Sequence, residues 1–132
     1  MKLHLFVGLA AIAAVAGCST TSVEAPTLTA AERAAASTYL AAHSVDVPPD
    51  WHRGILITSR KDSYSCLGGT CWTWAGTVVT DTATVALRSV DNAMVIYDLV
   101  QPGDDFLWTK NPHPSYPGEV RVLTHGAVSP TR

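Results

Sequence analysis

The sequence predicts an α+β domain, mainly antiparallel β-sheet or a small barrel with one N-terminal helix. Three observations carry that expectation. Thr29-Ala30-Ala31-Glu32 has the form of a capping box at the head of an Ala-rich stretch. Pro48 and Pro49 then end any helical pattern. From Trp51 onward, short runs of β-branched and aromatic residues are broken by turn residues, as in antiparallel sheets.

In the capping box, the Thr29 hydroxyl and the Glu32 carboxylate each satisfy a backbone donor that the first helical turn leaves without a partner. A helix from about Ala30 to His43 should follow. Its sides are mostly Ala, with Tyr39 and Leu40 the large apolar groups, which favours close packing on a sheet over a broad core stripe.

Candidate strands are Gly54 to Ser59, Ser63 to Leu67, Thr70 to Ala75, Thr77 to Thr80, Thr84 to Val90, Met94 to Val100, Phe106 to Thr109 and Glu119 to Thr124, some of which should merge. Turns are signalled at Gly68-Gly69, Asp81-Thr82, Asp91-Asn92 and Pro102-Gly103. The span from Thr84 to Val100 also admits a helix, and the strand reading is preferred. Asp104-Asp105 reads as a solvated turn, because adjacent acids on a turn point apart and cannot flank a substrate bond.

The hairpin at Cys66-Leu67-Gly68-Gly69-Thr70-Cys71 can be followed residue by residue. Two glycines at its tip tolerate positive φ, so Leu67 and Thr70 should pair beside the turn. One step out, Cys66 and Cys71 become a close pair suited to a cross-strand disulfide. A redox or metal pair is the rival, but four residues separate the cysteines and no histidine lies nearby in sequence.

The extreme N-terminus is of another kind. Lys2 and the amino terminus are followed by a stretch from Leu3 to Gly17 with no formal charge, shorter than the roughly 20 residues of a spanning helix. Val15-Ala16-Gly17-Cys18 closes that stretch. These four residues resemble the lipobox of bacterial lipoproteins: an aliphatic residue, a small one, Gly or Ala, then cysteine.

The resemblance covers the leader alone. It implies a diacylglyceryl thioether on Cys18, cleavage before it, and often a third acyl chain on the new amino terminus. Two or three chains, at about 0.8 kcal/mol per buried methylene, hold a protein on a bilayer essentially permanently. An ordinary secretory leader and an uncleaved anchor are the alternatives. Ser19, where many inner-membrane lipoproteins carry Asp, favours the outer membrane by the same resemblance.

The expected organisation is thus a signal peptide over 1-17, a flexible lipidated tether over 18-28 and a single domain over 29-132. With Cys18 acylated, Cys66 and Cys71 remain as a pair in an oxidising compartment. Removing 17 of 132 residues leaves 115, with eight basic side chains against eleven acidic ones once Lys2 is gone. No basic run offers nucleic acid or anionic lipid head groups an attractive field, so neither is expected as a partner, and membrane attachment is expected through the lipid anchor.

Candidate binding residues are few. Trp72 and Trp74, two apart on a strand, share a face with Ser63 and Ser65, while Tyr64 and Thr73 lie on the other face with the cysteines. Two indoles on one face form either a platform for a sugar ring or partner side chain, or core filling against the helix. Core filling is preferred, since a small domain needs large apolar groups. Asn111 to Gly118 is a proline-rich loop presenting His113 and Tyr116, either a recognition segment or an ordinary connection.

The histidines have no metal-ligand spacing, so neither a metal nor a cofactor is expected. The combined expectation is a cell-envelope lipoprotein held on a membrane by its lipid anchor and facing the periplasm. It would bind an envelope protein or wall polymer. A small envelope hydrolase and a structural, stress-related surface protein are the competing classes. Size, tether and disulfide are similar to those of small lysozyme-inhibitor lipoproteins, a likeness of architecture that assigns no residues.

Overall fold

The computed structural model describes residues 21–110 and 117–129. In chain order its elements are β1 (Thr21–Glu24), α1 (Ala30–Ala42), β2 (Trp51–Cys66), β3 (Gly69–Val79), β4 (Thr84–Ser89), α2 (Ala93–Leu99), β5 (Asp105–Lys110) and β6 (Pro117–Thr124). All strand pairs are antiparallel, in the order β4-β3-β2-β5-β6, with β1 pairing to β2 beyond the end of β5. The sheet curves without closing, so this is an α+β fold with an open sheet and two helices.

Helix α1 begins as expected, with Thr29 and Glu32 exchanging both capping-box hydrogen bonds. Its buried residues are Glu32, Ala36 and Leu40, a single stripe at intervals of four. That stripe lies on Ile55, Ile57 and Val79 of the sheet, and Leu28 and Val128 complete this layer of core. The narrowness of the Ala side chains lets the helix approach closely.

The opposite, concave face holds the larger core: Leu56, Trp74, Val78, Leu87, Phe106 and Trp108 from the sheet, with Ala93, Ile96 and Val100 from the α2 region. Here the expected strand Met94 to Val100 is corrected. Positions 93, 96 and 100 all point inward, the spacing of a helix, whereas Met94 and Val95 are exposed. Burial of that spaced triad on a concave sheet outweighs the local strand preference of Val95 and Ile96. Thr84 to Val90 does form a strand, ending at Ser89.

Two further corrections concern the tether and the acids. The stretch expected as a flexible link over 18-28 is ordered from Thr21: β1 pairs Thr21–Glu24 with Ser63–Arg60, and Ala25 and Leu28 are buried. Thr21 and Ser22 of that stretch serve as edge-strand residues. Asp104 and Asp105, expected to be solvated, are 2% and 1% exposed. They do point apart, and each is held by its own set of donors.

The merging of short strands has a visible cause. The candidates on either side of Arg60-Lys61-Asp62 join as β2, because β1 and β3 flank those polar residues and supply backbone partners. A bulge between Leu56 and Thr58 changes which alternate residues face the concave core. Leu56 does so before it, and Ser59, Lys61 and Ser63 share the face of Gly76, Trp74 and Trp72 after it.

Candidate functional site

The Cys66–Cys71 disulfide is present, with Cα atoms 5.8 Å apart. The register is two residues off the expected one: Cys66 pairs with Gly69 and Tyr64 with Cys71, so the bridge runs diagonally. Gly68 is the tip residue with positive φ, at 76°, and Leu67-Gly68 is the turn. A slip of two preserves the faces, so Trp72 and Trp74 still share theirs with Ser63 and Ser65.

Those two indoles do not form an exposed platform. Trp74 is 1% exposed and its Nε1 donates to Ser59 Oγ at 2.9 Å inside the core. Trp72 is half-buried beside it, with the Lys61 ammonium 4.7 Å from its ring centroid and equally far from that of Tyr97. Cys18, His113 and Tyr116 lie outside the described residues.

A cleft opens elsewhere, at the end of the sheet where β2 begins. It has a volume of about 630 Å³ and lies between the α1–β2 connection, the β3–β4 turn and the first residues of β2. Its lining includes Val45 and Val47 of the α1–β2 connection, Asp81 and Thr82 of the β3–β4 turn, and Trp51, His52 and Trp108 of the sheet. His52 and Trp108 are directly opposite on β2 and β5, their rings 5.5 Å apart. Trp51 is flanked by the Arg121 guanidinium, 5.2 Å from its ring centroid.

The opening follows from strand lengths. Strand β3 stops at Val79 opposite Ile55, while β2 extends back to Trp51, so Trp51–Gly54 have β5 as strand neighbour on one side alone. Leu56 exchanges backbone bonds with Gly103 and Asp104 on the β5 side. Because backbone groups alternate sides along a strand, those of Arg53 point the other way, into the cleft.

Arg53 is held firmly. Its Nε donates to Asp105 Oδ1 at 3.0 Å and its Nη2 to Oδ2 at 2.7 Å, while Nη1 donates to the His43 carbonyl at the C-terminal end of α1. Hydrogen bonding to Asp105 raises the guanidinium above its ordinary pKa, with burial pulling the other way. The ion pair fixes α1, β2 and β5 at one corner of the cleft.

Asp104 is the centre of a second network. Its carboxylate accepts from the backbone N–H groups of Gln101 and Gly126 and faces His125 Nδ1, each at 2.9 Å. The His125 side chain is 69% exposed, but it does not line the cleft. Among the described residues that line the cleft, Asp81 is the one carboxylate. Among the described residues no cluster of three metal-ligating side chains occurs.

Sequence reading missed this cleft. Trp51-His52-Arg53, an aromatic and two polar groups directly after a proline pair, was the available signal, but the end of β3 opposite Ile55 is a property of pairing. Comparison with protein-family models, with curated proteins and with solved structures returns no match, so the cleft's own chemistry carries the functional argument.

Proposed function

We propose that this chain is a lipid-anchored module of the bacterial cell envelope that binds an extended segment of another envelope protein in the cleft beside Trp51–Gly54. The lipobox-like Val15-Ala16-Gly17-Cys18 supports the anchor, by acylation of Cys18. The outer membrane, with the domain in the periplasm, is the location this reading favours.

One observation carries the binding reading: beyond the Ile55–Val79 pair the Arg53 backbone has no strand partner on the β3 side of β2, and it lies in a cleft lined by Trp51, Trp108, Val45 and Val47. An incoming strand would pair with the Arg53 backbone, and its alternate side chains would meet Trp51, Val45 and Val47. The exposed Val45 and Val47, at 43% and 39%, are apolar surface without cover. A wall polymer is the other ligand class that a cleft lined by indoles suits.

The test is photocrosslinking in intact envelopes from position 47, with a control group at position 123 on β6. A protein captured from 47 through one short contiguous segment, and released from capture by Trp51→Ala, is the expected result. Capture of polysaccharide alone defeats the protein reading. Metabolic fatty-acid labelling tests the anchor in the same cells, with label lost in Cys18→Ser.

A further inference from the structure

We propose that the exposed face of α2, together with the tip of the β2–β3 hairpin, seats on the lipid surface itself, so that the domain lies against the bilayer with its cleft directed away. This rests on the acylation of Cys18 in the reading above. The observation behind it is the pairing of β1, which leaves almost no slack between anchor and fold.

Three backbone steps separate Cys18 from Thr21, a reach of at most about 11 Å. Thr21 pairs with Ser63, and Ser63 with Trp72. Adjacent strands lie about 4.8 Å apart, so Trp72 sits about 10 Å from the point where the chain enters the sheet. An acylated Cys18 therefore brings this corner of the molecule to the headgroup layer.

The surface found there suits that layer. On α2, Met94, Val95 and Leu99 are 40%, 60% and 41% exposed, and Val90 before it is 46% exposed. Seven-residue α2 thus carries apolar groups outward as well as inward, with the exposed Asp98 among them. Leu67 at the hairpin tip stands fully in solvent. Beside these lies Lys61, its ammonium over the rings of Trp72 and Tyr97, a combination of aromatic bodies and a long cationic chain that fits the interface between headgroups and acyl chains.

The orientation has a consequence for the cleft. Trp72 and Val79 are seven residues apart on β3, about 23 Å along the strand. The β3–β4 turn that walls the cleft is thus at the far end of the sheet from the anchored corner. The bound segment would approach from the aqueous side.

The experiment uses the full acylated chain on vesicles of phosphatidylethanolamine with a minor fraction of phosphatidylglycerol. An environment-sensitive fluorophore is attached at Val95→Cys or, as control, at Thr82→Cys in the β3–β4 turn; both sites are exposed, so neither change threatens the core. The expected result is blue-shifted emission at position 95, quenched roughly twofold by lipids carrying acyl-chain quenchers, with position 82 unaffected. A second variant, Val95→Asp beside a probe at Met94→Cys, should lose that quenching while the protein still pelets with vesicles.

Equal, water-like emission at 95 and 82 on a chain whose Cys18 is acylated overturns the lipid seat and leaves the anchor standing. Protection of position 95 by a second copy of the chain, seen as a crosslinked dimer without lipid quenching, overturns it as well. An unacylated Cys18 removes the anchor reading, and the seat falls with it.

Discussion

Arg53 and Asp105 form a two-bonded ion pair at the junction of three elements, with side chains 10% and 2% exposed. They are not directly opposite on their strands: Arg53 faces Leu107 and Asp105 faces Ile55, so the pair is diagonal across β2 and β5. The third Arg53 bond, to the His43 carbonyl, places a cation at the negative end of the α1 dipole. Removing one partner leaves the other buried and uncompensated.

Asp105→Ala should therefore cost about 3–5 kcal/mol, and Arg53→Met a comparable amount. The double variant should cost clearly less than the two single effects combined, as urea unfolding of all three would show. A cost under about 1 kcal/mol for Arg53→Met would mean that the pair does not dock α1. Arg53→Lys keeps the charge and loses the planar fork, and an intermediate loss is expected.

The same pair makes a statement about pH. Because the folded-state pKa of Arg53 is raised, its stabilisation is complete below the ordinary arginine value and is lost only as pH climbs through the higher folded value. Between neutral pH and about pH 10 the cost of Arg53→Met should then stay level. A cost that shrinks steadily over that interval would contradict the raised value.

Glycines at two turns should respond unequally to alanine. Gly68 has φ of +76° with nothing near the position of an added Cβ, so Gly68→Ala should cost about 1–2 kcal/mol of left-handed strain. Gly103 has φ of +96°, and an added Cβ would meet the Val128 carbonyl oxygen, so Gly103→Ala should cost more and loosen the segment after β6. Thermal unfolding compares the two, and equal costs would refute the close approach.

Loss of the disulfide should be a modest change. Cys66 and Cys71 are five positions apart, and chain entropy gives about 2 kcal/mol for so small a ring. The bridge lies at an exposed hairpin tip, so the double Cys→Ser chain should keep its near-UV circular dichroism at ambient temperature. Collapse of that signal would show that the hairpin tip organises the core.

Ser59→Ala should destabilise by about 1–3 kcal/mol, because it leaves the Trp74 indole N–H without its buried acceptor. In a Trp74→Phe background the same change should cost far less. Equal costs in the two backgrounds would disprove the coupling.

Several features were legible because they are local. The capping box of Thr29 and Glu32 and the nearness of Cys66 to Cys71 depend on neighbours within a few residues and appear where the sequence puts them, whereas the turn at Gly68 appears with its register shifted by two. The shared face of Trp72 and Trp74 survived a register error because a slip of two residues leaves strand parity unchanged.

Tertiary pairing decided the remainder. Thr21–Glu24 carries too little apolar pattern to announce a strand, and it becomes one because β2 runs past the end of β5 and offers a free edge. Ala93 to Leu99 is helical because Ala93, Ile96 and Val100 together fill a concavity that exists only once the sheet has curved. The cleft likewise arises from unequal strand ends meeting at Trp51–Gly54. Short-range chemistry fixes caps and turns; which strands lie side by side depends on burial summed over distant residues, and that sum is not written in any one segment.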